Sequence, residues 1–137
     1  MAPSEKINIP QKPPMVMVDY IVDITDQTTT TGFVIRPENI FCENGLFREP
    51  GLIENMAQSA AAGVGVKPGV VPGNAPLGFI GAIKNLKIND FPGIGDEITT
   101  SATVMHVVFD ATIIQAEVRL NDRLLASCEL KIFLIGN

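Results

Sequence analysis

The sequence is short of charge. Of its 137 residues only 18% are Asp, Glu, Lys or Arg, against 46% hydrophobic residues, and the net charge is −5. Its cations are scattered, with no basic run. Nucleic-acid affinity rests on clustered cations that displace counterions, so this distribution argues against a phosphate-backbone binder. Histidine occurs once, as His106, and cysteine twice, as Cys42 and Cys128 without ligand-like spacing. P-loop, GxGxxG and metal-ligating constellations are all missing, so neither a metal nor a nucleotide cofactor is expected. Two isolated cysteines read as free, buried thiols, and nothing in their spacing supports a disulfide. No apolar stretch approaches bilayer-spanning length, and Met1-Ala2-Pro3-Ser4-Glu5-Lys6 lacks the apolar centre of a signal peptide. The expectation is a cytoplasmic protein with no membrane span. Internal repeats and low-complexity tracts are absent too.

What is present fits one compact domain spanning residues 1–137, large enough to bury a real core without staples. A surface this lean in charge also predicts that some apolar area is covered by a second copy of the chain. A homodimer or higher homo-oligomer is therefore expected.

Along the chain, Pro10, Pro13 and Pro14 around Gln11-Lys12 mark an extended lead-in or short turn. Residues 15–23 and 28–35 are rich in Val, Ile, Thr and aromatic residues, with Thr25-Asp26-Gln27 between them, which predicts a hairpin. The one strong helix pattern covers residues 51–63, and Pro50 suits its first turn. Leu52, Ile53, Met56, Ala57, Ala60, Ala61 and Val64 form a broad apolar arc, while Glu54, Asn55, Gln58 and Ser59 fill the remainder. Gly63, Gly65, Pro68 and Gly69 end it. After a Gly/Pro loop at 66–76 come strand-like runs at 77–88, 97–109, 111–120 and 123–135. In the third of these, Ile114, Ala116, Val118 and Leu120 alternate with Gln115, Glu117 and Arg119, and Asn121-Asp122 makes a tight turn into the fourth. Two strands, one long helix and four more strands predict an α+β chain in which a largely antiparallel sheet wraps a single central helix.

That order, read with three motifs, resembles the hot-dog-fold 3-hydroxyacyl-(acyl-carrier-protein) dehydratases. The segment Ile9-Pro10-Gln11-Lys12-Pro13-Pro14-Met15-Val16-Met17-Val18-Asp19 is similar to the family's Leu-Pro-His-Arg-x-Pro-(apolar)-Val-Asp opening. Glu54-Asn55-Met56-Ala57-Gln58-Ser59-Ala60 resembles its central helix, Glu-Ala-(Leu/Met)-Ala-Gln-x-(Ala/Gly). Ala82-Ile83-Lys84-Asn85-Leu86-Lys87 and Pro92-Gly93-Ile94-Gly95-Asp96 are similar to its Ile-x-x-(Ala/Val)-Lys-Phe and Pro-Gly-Asp segments. The family's catalytic His has no counterpart. Aligning Glu38-Asn39-Ile40-Phe41-Cys42 with the family's Glu-Pro-x-Phe-x run puts Asn44 in its place, and the link to Glu54 is about four residues short. A divergent, His-free branch is the nearer match.

The resemblance implies a hot-dog fold, no cofactor, and a partner that is an acyl carrier protein or coenzyme A thioester. It also assigns the candidate site. Dehydration removes a proton from C2 and expels hydroxide from C3, and a positioned acid or base contributes about 10²–10⁴-fold. Glu54 is the one acid inside an apolar helix, a setting in which desolvation tunes a carboxyl group for proton transfer; otherwise it simply faces solvent. Asn44 either holds the thioester carbonyl with its amide or is the first half of an Asn-Gly turn. Gly51 either lends an oxyanion N–H at the helix start or marks the helix entry. Gln58 either orients Glu54 and lines the acyl tunnel or is a buried amide bonded to backbone. His106, alternating with Val104 and Val108, reads as a structural or interface residue. Two other functions stay open: an acyl thioesterase with Glu54 as base, and a non-catalytic acyl-carrier-binding protein.

Overall fold

The computed structural model describes residues 7–135. β1 (Tyr20–Ile24) and β2 (Thr28–Val34) form the expected hairpin, closed by Thr25, whose Oγ1 accepts the Thr28 N–H at 3.0 Å. Residues 15–19, read from composition as the start of that hairpin, are not strand. This stretch runs beside the helix instead, and helix side chains take up its backbone groups: Asn55 Nδ2 donates to the Met17 carbonyl at 2.8 Å, and Gln58 Oε1 accepts the Met17 N–H at 2.7 Å.

A second hairpin precedes the helix, one that the coarse reading did not contain. β3 (Cys42–Glu43) and β4 (Leu46–Phe47) pair around Asn44-Gly45, whose φ angles of 54° and 79° are the positive pair of a two-residue type I′ turn. Then comes α1 (Glu49–Gly65), with Pro50 in its first turn as expected. The remaining strands are β5 (Leu77–Ile88), β6 (Glu97–Val108), β7 (Ala111–Leu120) and β8 (Arg123–Ile135), all within a residue of the sequence reading. Asn121 carries the turn into β8 with φ 56°. The Pro92–Asp96 stretch is a turn tied by Asp96 Oδ2, which accepts the Gly93 N–H at 2.8 Å.

The six long strands make one antiparallel sheet in the order β1-β2-β6-β7-β8-β5. It curls about α1, giving the α+β hot-dog fold. Leu52 and Met56 of the helix are fully buried against Met17, Phe33, Phe47, Ile98, Val118 and Leu130. Along β7, Ile114, Ala116 and Val118 are buried as their alternation requires.

The helix is oriented differently from what its composition suggests. Asn55, Gln58 and Ser59, placed by sequence on the polar arc, are at most 1% exposed. Ala57, Ala60, Ala61 and Val64, on the apolar arc, are only half-buried. Hydrogen bonding explains the inversion. Thr100 Oγ1 donates to Asn55 Oδ1 at 2.6 Å, the Ser59 hydroxyl meets Thr31 Oγ1 at 2.7 Å, and Gln58 holds Met15 and Met17. Every one of these polar groups is satisfied within the protein, so burying them carries little penalty. Among the described residues no helix is long and apolar enough to cross a membrane.

Both cysteines are free thiols. Cys128 is buried on β8 with its sulfur 3.7 Å from Met56 Sδ, and burial pushes its pKa up to about 11. A raised thiol pKa favours the neutral form in the folded state, so its contribution is complete below the unfolded value of 9.0. It is lost as pH rises from 9 toward 11. Urea unfolding at pH 8 and pH 10.5 should therefore show a loss of stability in the native sequence that is smaller in Cys128→Ala.

Candidate functional site

Between α1 and the sheet lies a cavity of about 1180 Å³, open on one side. Its floor is helical. Glu54, Ala57, Ala61 and Val64 recur at spacings of three and four, so they form one stripe along the axis, with Ala60 beside it. From Glu54 to Val64 this stripe is about 15 Å long at 1.5 Å per residue. The wall is supplied by the sheet: Val104 of β6, Ile114 of β7, Ile132 of β8 and Ile80 of β5. The lining is mostly apolar, and Glu54 is its one acidic residue from the helix. A groove of this shape suits an extended apolar chain with polar chemistry at one end.

Glu54 is half-buried and held in place. Gln58, one turn further along, donates Nε2 to Glu54 Oε2 at 2.8 Å. The same Nε2 donates to the Met15 carbonyl at 2.8 Å, and Oε1 receives the Met17 N–H. Gln58 is thus a buried amide bonded to backbone whose Nε2 also meets the Glu54 carboxylate, but it does not line the cavity as the tunnel reading expected. Because two backbone bonds already hold Gln58, its third bond sets the direction of Glu54.

Gly51 lies one turn before Glu54 in the first turn of α1, where no helix carbonyl precedes it to accept its N–H. It is also a close-approach point. A Cβ here would stand 2.4 Å from the Phe47 ring and 2.9 Å from Phe41 Cβ. Asn44 is exposed on the β3–β4 turn and does not line the cavity. Its left-handed φ is what the turn reading requires. His106, just past a bulge in β6, is exposed and lies outside the lining as well. The structure therefore brings Glu54 and Gln58 together, while Gly51, a turn away, is buried against Phe47 and Phe41 and, like Asn44, does not line the cavity.

Sequence reasoning missed Gln11. This residue lines the cavity, and its Oε1 is buried without a hydrogen-bond partner among the described residues. One signal was legible: Gln11 stands where the resembled family's opening motif has His. Its composition alone, a Gln between prolines, gives no hint of burial.

The ApeP-like family model, described as ApeP dehydratase, matches residues 4–135. The chain belongs to the ApeP-like dehydratase family. Among solved structures, this ApeP-like chain is similar to one in the dehydratase heterocomplex ApeI:P from Xenorhabdus doucetiae, with a TM-score of 0.82 and 13% identity. That match covers 94% of this chain and 89% of the other. An uncharacterised protein from Pyrococcus horikoshii matches with a TM-score of 0.72 and 14% identity, over 100% and 97% of the two chains. A hypothetical thioesterase from Streptococcus pneumoniae, solved with coenzyme A, matches with a TM-score of 0.64 and 12% identity, over 85% of each chain. No curated protein sequence matches the chain. At these identities the structural likenesses establish the hot-dog fold, and the family rests on the sequence match.

The Gly51 geometry has a direct test. Gly51→Ala forces the fully buried Phe47 ring or the helix start to shift, which should cost about 1–3 kcal/mol. Thermal unfolding should show a clear drop in Tm, while Gly45→Ala, at an open turn, should lower it only through its positive φ.

Proposed function

We propose that this protein is a cytoplasmic dehydratase that removes water from a 3-hydroxyacyl chain carried as a thioester on an acyl carrier protein or coenzyme A. One observation supports this reading above the rest: a carboxylate fixed by a buried amide stands at the end of an apolar stripe that can receive an acyl chain. In the proposed reaction the Glu54 carboxylate takes a proton from C2 and, as the carboxylic acid, passes it to the hydroxyl leaving C3. The products are the 2-enoyl thioester and water, and Glu54 returns to its starting state. Charge gathering on the thioester oxygen would be met by the Gly51 N–H and the positive end of the helix dipole. With no second proton carrier drawn from histidine, one carboxyl group serves both steps.

A thioesterase reading stays in view because the same oriented carboxylate can activate water against the thioester carbonyl. Incubation with 3-hydroxyacyl-, enoyl- and saturated acyl-carrier thioesters separates the two. Loss of water marks the dehydratase, release of free acid and thiol marks the thioesterase, and binding without turnover marks a carrier-binding protein. Glu54→Gln matches the volume and keeps the Gln58 contact in range, so it should fold and lose at least about a hundredfold in rate. Asn44→Gly preserves the left-handed turn and removes only the amide. Its rate should fall if that amide holds the substrate carbonyl, and native rates would assign Asn44 to the turn alone.

We further propose a homodimer joined through β5. This 12-residue strand closes one edge of the sheet, its outer side unpaired among the described residues, and Leu77, Phe79, Ile83 and Leu86 are exposed along it. A long apolar edge is a template for another strand unless it is covered. Pairing β5 with its copy would extend the sheet and bring the two grooves toward a common axis. Sedimentation should report a dimer at micromolar concentration, and a well-folded monomer would remove the shared-groove arrangement.

A further inference from the structure

The sheet outruns the helix. Asn55 meets Thr100 of β6, the Ser59 hydroxyl meets Thr31 of β2, and Gly63 packs on Thr29, which pairs with Ala102. These contacts lay α1 along β2 and β6 and bring Gly63 level with Ala102. The helix ends two residues later, at Gly65, whereas β6 continues past Ala102 to Val108 with β7 and β8 beside it. On the inner face of this overhang Val104 stands opposite Ile114 and Val107 opposite Thr112, which has Ile132 on its other side. All five line the same cavity as Glu54. A bulge between Val104 and His106 keeps Val107 on that face; in a regular strand His106 would take its place. Val107 is 63% exposed, an apolar side chain that the core of the domain does not cover.

We propose that the overhang is a distal subsite for the tail of a long acyl chain, with Val104 and Val107 as specificity-determining residues. The inference rests on the acyl-thioester reading above and deepens it by naming the chain length. Glu54 is the first helix residue to line the cavity, so a chain held there extends toward the helix C-terminus. From Glu54 to Gly63 the helix rises about 14 Å at 1.5 Å per residue. An extended alkyl chain gains about 1.3 Å per carbon, given C–C bonds of about 1.5 Å. A chain whose reacting carbons lie at Glu54 therefore draws level with Gly63 after about eleven further carbons. An octanoyl chain ends over the alanine stripe. A hexadecanoyl chain passes the end of the helix and lays its last methylenes on Val104 and the side chains beyond it, where both surfaces leave water. The preferred class is thus thioesters of more than about 12 carbons.

The test measures binding of octanoyl-, dodecanoyl- and hexadecanoyl-pantetheine, each below its micellar concentration, to the Glu54→Gln protein with and without Val104→Thr or Val107→Thr. Both replacements keep the β-branched shape and polarise only the overhang, and Val107 is exposed enough that the fold does not depend on it. Full burial of a methylene tightens binding about fourfold; in a groove open on one side about twofold is expected. Affinity should therefore rise about tenfold from dodecanoyl to hexadecanoyl. Either Thr variant should weaken hexadecanoyl binding about two- to fivefold and leave octanoyl binding unchanged. Affinity that levels off at dodecanoyl or earlier would end the groove at the helix and overturn the proposal, whether the overhang is bare or covered by a second copy of the chain. So would a hexadecanoyl gain that survives both Thr variants, or an equal loss of octanoyl binding in them. In each of those cases octanoyl still binds the parent protein and the acyl-thioester reading stands without this subsite. If none of the three thioesters binds, that reading itself fails and takes this inference with it.

Discussion

Everything about the site depends on one buried amide. Gln58 is 1% exposed and uses both ends of its side chain, receiving the Met17 N–H on Oε1 and donating from Nε2 to the Met15 carbonyl and to Glu54. Three elements are thereby fastened at one point: the N-terminal segment, the helix and the carboxylate. A buried polar group is costly unless it is fully paired, so this geometry tolerates few alternatives. The orientation of Glu54 is consequently a property of the core, and little is left to side-chain rotamer freedom at the surface.

The same logic governs how the helix is seated. Asn55 and Ser59 reach Thr100 and Thr31 on the inner face of the sheet, and these bonds select which side of α1 faces inward. With that side occupied by polar contacts and by Leu52 and Met56, the alanine stripe is turned toward open space. Small side chains there keep the floor of the groove low. Ala57 and Ala60 still pack against the core with one side, and their small side chains leave an apolar groove open beside them. This division of the helix, with Leu52, Met56 and paired polar side chains inward and the alanine stripe outward, makes an apolar groove compatible with a stable domain.

The edge of the sheet bears on the groove as well. β5 contributes Ile80 and Phe79 to the cavity wall while, among the described residues, its outer side has no strand beside it. In the proposed dimer, a partner strand at that edge would extend the wall and cover exposed apolar side chains together. The low charge of the sequence is consistent with this. A surface with so few charged side chains solubilises a lone domain less well than one with an ordinary share.

Much of this was legible in the sequence because it is local. Period-2 alternation marked β7, turn residues marked its junction with β8, and helical spacing with a proline in the first turn marked α1. The spacing of Glu54 and Gln58 already put them one turn apart on one face. What sequence periodicity could not settle was which face turns inward, since Asn55, Gln58 and Ser59 look like solvent-facing residues until partners from β2, β6 and the N-terminal segment are in place. Residues 15–19 were misread for the same reason: their composition favours a strand, but their backbone groups are claimed by the helix. Asn44 was ambiguous between amide donor and turn former, and the β3–β4 pairing gives it a turn. The burial of Gln11 beside the cavity was not legible from composition, because it is decided by segments far away in the chain. The sequence by itself determined the helix, the six long strands, their order and the position of Glu54 within the helix. Only the tertiary structure decided which polar groups are buried and paired, because hydrogen-bond satisfaction depends on long-range neighbours that no local pattern encodes.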